Sequence, residues 1–68
     1  MENNKVITLD KNNNIISTES FPNADAAYEY YTDSIRILNK RLPKNEVITI
    51  VRMRWDSVMT METIRGTH

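Results

Sequence analysis

The chain has no cysteine, one glycine, two prolines and one histidine in 68 residues. Without thiols there is no disulfide, and the usual zinc ligand sets are out of reach, because the only imidazole is the terminal His68. A nucleophilic triad needs a base beside its serine or threonine, and a histidine on a tail expected to fray does not supply one. Phosphate-cradling loops need glycine where the backbone closes on the ligand. Gly66 is alone, and it is expected only to end the last strand. Asp10, Glu19, Asp56 and Glu62 fall at turns and strand edges, where acids are solvated rather than paired for acid–base work. The expectation is a protein that is not an enzyme, with no catalytic residue, no metal and no cofactor.

Long hydrophobic runs are also missing. No segment approaches the ~20 apolar residues of a membrane span. The opening Met1-Glu2-Asn3-Asn4-Lys5 is polar and runs straight into a strand-like segment, unlike a signal peptide. A complete, cytoplasmic chain with no membrane partner is the resulting expectation.

Charge of one sign is absent overall but not locally. Residues 1–34 hold two lysines against six acids, and residues 35–68 hold seven cations against three acids. The halves therefore carry −4 and +4, a polarity that favours head-to-tail contact or one basic surface. Hydrophobic content of 40% with 26% charged residues is that of a globular chain, which argues against wholesale disorder. A domain this small buries only about 60% of the surface its unfolded chain exposes. Such domains usually lean on a staple. With disulfides and metals set aside, good packing or self-association remains.

What is present reads as one domain over residues 1–68. The clearest element is a helix over residues 24–42. Asn23 is a good N-cap, and Asp25, Glu29 and Asp33 precede Arg36, Lys40 and Arg41, in accord with the helix dipole. Ala24, Ala27, Tyr28, Tyr31, Ile35, Leu38 and Leu42 draw one apolar stripe, with Tyr28 and Tyr31 expected in the core, and Pro43 stops the helix. β-Branched runs predict strands at 5–10 and 15–21, joined through asparagines that tolerate the left-handed backbone of a tight turn. Residues 46–65 are too long for one strand at about 3.3 Å per residue, so a turn at Asp56-Ser57 divides them into 46–54 and 58–65. Val6–Leu9 aligns with Val47–Ile50, and Ile15–Phe21 with Val58–Ile64, as if one hairpin pattern were used twice. The predicted fold is α+β in the order β-β-α-β-β: an antiparallel sheet of two hairpins with one amphipathic helix on one face.

That fold leaves apolar surface over. The strand at 46–54 is apolar on both sides, with Val47, Thr49, Val51, Met53 and Trp55 on one, and Ile48 and Ile50 leading to Arg52 and Arg54 on the other. Tyr30 and Ile37 lie outside the helical stripe, on the opposite side of the helix. Tyr, Trp, Met and Arg are enriched at interface centres, so Tyr30, Ile37, Arg52, Arg54 and Trp55 are the expected interaction residues. A protein partner or a homodimer is the leading expectation, with an edge strand, the first or the last depending on strand order, as a further route to association. Nucleic acid is the alternative partner: Arg52 and Arg54 with Trp55, and Lys40, Arg41 and Lys44 after the helix, could bind phosphates and stack a base. Zero net charge speaks against it.

The Val-Ile-Thr-Leu-Asp-Lys-Asn-Asn-Asn hairpin, the Tyr-Glu-Tyr-Tyr helix and the closing hairpin look like small proteins encoded by phages and mobile elements, some of them anti-defence or host-takeover inhibitors. The resemblance covers most of the chain and is one of size and arrangement. It implies a stoichiometric inhibitor that occludes a host protein, or an oligomer that sequesters a signalling nucleotide.

Overall fold

The computed structural model describes residues 3–68. Its elements are β1 (Asn4–Leu9), β2 (Ile15–Phe21), α1 (Ala24–Arg41), β3 (Val47–Arg54) and β4 (Ser57–Arg65). They give the expected α+β order, with element ends shifted by one residue or less. The four strands form one antiparallel sheet in the order β2-β1-β3-β4. β2 and β3 each run antiparallel to β1, so they are parallel to each other, and α1 connects them across β1. The edges are therefore β2 and β4. The sequence left β1 or β4 as the exposed edge, and β1 proves to be interior.

Local chemistry sets each joint. Asp10 closes the first turn: its Oδ1 accepts from the backbone N–H of Asn12 (2.8 Å) and of Asn14 (2.9 Å), while Asn13 takes the left-handed conformation (φ 65°). The Asn14 bond does most to hold the Asp10 carboxyl below its ordinary value; Asn12, the Asn14 amide and Lys11 add to it against an opposing desolvation. Asn23 caps α1, accepting from the Ala26 N–H at 2.8 Å. Replacing it by alanine orphans that donor and is expected to cost about 1 kcal/mol, measured by urea unfolding followed by circular dichroism.

The core lies between α1 and one face of the sheet. Val6, Ile50 and Ile64 meet Ala27, Tyr31 and Leu42 there, with Phe21, Ile35, Leu38 and Ile48 around them. Tyr28, expected in the core, is instead 53% exposed. It sits at the flank of the stripe, where the Arg52 guanidinium lies 5.4 Å from its ring centroid. The apparent repeat of β1 and β3 also fails in detail. Val6 faces the helix, whereas Val47 is on the other face, because Val6 pairs with Arg52 and helix-facing residues of β3 are therefore even-numbered. The tail is not frayed either. The His68 N–H donates to Leu42 O (3.4 Å), and its Nε2 lies 3.1 Å from Asn39 O.

Candidate functional site

One helix covers one face, and the other face of the sheet has no element of the described chain over it. Its side chains follow from the strand registers. Ile7 is opposite Val51, and Val51 is opposite Met61, so an apolar row crosses three strands. The next row continues it with Met53 opposite Val58, and Lys5 beside Met53. Val51 is only 7% exposed although no element of the described residues covers the face, because its cross-strand neighbours shield it. Met61 and Val58 remain 59% and 55% exposed. Toward β2 the rows turn polar, with Thr18 opposite Ile7 and Ser20 opposite Lys5. The patch is thus displaced toward the β4 edge.

The charges on this face are of one sign. Lys5 and Arg65 belong to it, while Glu19 and Glu62, opposite Val6 and Ile50, belong to the helix side. An apolar centre with a basic rim and no acid is the result.

A strained residue stands at one end of the patch. The second hairpin turns at Trp55-Asp56, one position earlier than the sequence placed it, because Arg54 pairs with Ser57. Trp55 is therefore a turn residue and not part of the strand face. It has φ 55°, a region that costs a non-glycine residue about 1–2 kcal/mol. Its N–H donates to Asn3 O at 2.7 Å, and the residue is 57% exposed. A bulky side chain held in a glycine conformation, yet largely in water, is not explained by packing. As the only tryptophan, Trp55 reports on its own surroundings. The free protein is expected to show water-like emission that acrylamide quenches readily; blue-shifted, protected emission would show that the turn is covered.

The five residues expected from sequence to make contacts are spread over several places. Tyr30 lies on the helix flank toward β2, its ring centroid 5.1 Å from that of Phe21, rather than on the far side of the helix. Ile37 follows it along α1 and is half exposed. Arg52 points to the helix side, between the Tyr28 ring and Thr60 Oγ1, to which its Nε donates at 3.3 Å. Arg54 ends β3, and Trp55 is in the turn. The basic groups are divided as well. Lys40, Arg41 and Lys44 surround the end of α1, beside the start of β3, whereas Arg52 and Arg54 lie at the other end of that strand. About 20 Å separates the two groups along an extended chain. Sequence reasoning missed Ile7 and Val58. Ile7 stands between Val6 and Thr8 and Val58 between Ser57 and Met59, so alternation did not single them out, and which parity faced the helix was not visible.

Among the described residues, no group of three or more histidine, cysteine or acidic side chains could hold a metal ion. No helix among the described residues is long and apolar enough to cross a membrane. Fold and surface together define a small α+β domain with one open, apolar, basic-rimmed sheet face. No protein-family model, curated protein or solved structure matches the chain.

Proposed function

We propose that this chain is a non-enzymatic protein-binding module that works by covering part of its partner's surface. The observation that carries the reading is the apolar row of Ile7, Val51 and Met61, continued by Met53 and Val58, with nothing over it. Contiguous exposed apolar surface of this kind is uncommon on monomers and marks interaction sites. The lack of acids on the face and the presence of Lys5 and Arg65 fit a partner with an apolar patch rimmed by carboxylates. Trp55, exposed at one end of the row, supplies an aromatic side chain of the type that anchors interfaces.

The test is quantitative capture from lysate, with and without nuclease, by three tagged proteins: wild type, Met53→Glu/Val58→Glu, and Ile37→Glu. A stoichiometric protein whose capture falls at least about tenfold with the sheet variant, but not with Ile37→Glu, is the expected result. Loss with Ile37→Glu alone would move the site to the helix. Loss of every partner on nuclease treatment would replace this reading with nucleic-acid binding.

A further inference from the structure

The β4 edge has a direction that follows from two hydrogen bonds. Gly66 N–H donates to Glu46 O at 2.8 Å, and Trp55 N–H donates to Asn3 O at 2.7 Å. In an antiparallel ladder hydrogen-bonded pairs alternate with non-bonded ones. Even-numbered residues of β3 therefore bond to β4, and odd-numbered ones to β1. It follows that Ile64 and Glu62, opposite Ile48 and Ile50, turn their backbone groups inward. Met61, Thr63 and Arg65 turn theirs outward, away from the sheet. Along this edge, Ser57–Arg65, there is no proline and no lysine, the residues that commonly guard exposed strands. Its one irregularity is the extra residue Met59, which precedes the outward trio.

We infer that the β4 edge pairs with β4 of a second copy, antiparallel about a twofold axis at Thr63, to make one eight-stranded sheet. In this register Thr63 faces Thr63 of the second copy, and Met61 faces Arg65. All three outward residues are then bonded, giving about six new backbone hydrogen bonds. Glu62 lies opposite Ile64, so no like charges meet. Moving the axis toward the turn by one residue would set Glu62 against Glu62, and by two would carry the pairing into the bulge at Met59; moving it the other way, to Ile64, would leave Met61 without a partner residue on the strand and about four bonds instead of six. With zero net charge, the chain also has no overall self-repulsion to overcome.

Register favours this edge over β2. Between the extra residue Ile16 and its end, β2 turns only Thr18 and Ser20 outward, and a twofold axis midway between them would set Glu19 against Glu19. β4 offers three outward residues in unbroken register, and the axis at Thr63 keeps its acids apart. The open face stays uncovered, so this pairing does not depend on the partner proposed above.

Chain synthesis allows a test that leaves every side chain unchanged. N-methylation at Thr63 removes an outward N–H and blocks the β4 edge, while N-methylation at Thr18 does the same to β2. Sedimentation equilibrium is expected to give twice 8.0 kDa for the wild type and for the Thr18 derivative, and 8.0 kDa for the Thr63 derivative. Circular dichroism should be the same for all three, because neither N–H serves the protomer. A monomeric wild type at about 1 mM, a dimer that survives methylation at Thr63, or one lost on methylation at Thr18 would each overturn the inference.

Discussion

Ile50→Ala is expected to remove about 3 kcal/mol, much of the stability a chain of this length has. Ile50 is fully buried in the middle of β3, among Val6, Tyr31 and Ile64. Truncating it loses the transfer energy of three carbons and leaves a cavity that strands on both sides keep from collapsing. At about 0.05–0.15 kcal/mol per residue, 68 residues give about 3–10 kcal/mol in total. A midpoint of thermal unfolding lower by about 15 °C follows from the entropy of a domain this size. The informative comparison is with Val51→Ala, one residue further along the same strand. Val51 is also shielded, but by neighbours on an open face, so water fills the space and the loss should be about 1 kcal/mol. Both numbers come from urea titrations at low protein concentration. A larger loss at Val51 than at Ile50 would mean that the helix lies over the other face.

That comparison touches the point at which sequence reasoning stopped. The helix was legible because several signals agreed: an N-cap at Asn23, acids before bases, a stripe from Ala24 to Leu42, and a stop at Pro43. The strands were legible because β-branched runs are interrupted by asparagine-rich or aspartate-containing turns. The face was not. β3 is apolar on both sides, with Ile48 and Ile50 matched by Val51 and Met53, so alternation alone could not say which side the helix takes. Strand order was equally hidden, since two hairpins and a helix can be assembled with different inner strands. Once β1 and β3 are paired, Val6, Ile50 and Ile64 share a face, and Ile7, Val51 and Met61 are left on the other. The candidate site is thus a product of topology. Tyr30 and Arg52 show the same limit from the other side. Their residue types promised contacts, and they make them within the chain, with Phe21 and with Tyr28.

Gly66 was read as a simple strand end, and the structure gives it a sharper role. A Cβ on Gly66 would stand 1.7 Å from Pro43 O, 2.5 Å from Pro43 C and 2.9 Å from Leu42 O, all backbone atoms that cannot rotate aside. Gly66→Ala therefore forces one of two movements. Pushing the Leu42–Pro43 segment outward would drag Leu42 out of the core, at about 2–5 kcal/mol. Releasing residues 66–68 instead gives up the Gly66–Glu46 bond and both His68 contacts, and leaves Leu42 less covered. Those bonds are worth about 1 kcal/mol each, partly offset by the freedom the tail regains, so release costs about 2 kcal/mol and is the smaller of the two. Fast amide exchange at residue 66 and unchanged protection of Leu42 are the expected signs. A chain ending at Arg65 sets the scale, because it has lost the same contacts by construction. If Gly66→Ala matches its stability, the tail has let go; if the variant is weaker than the shortened chain, the added methyl has displaced the end of the helix.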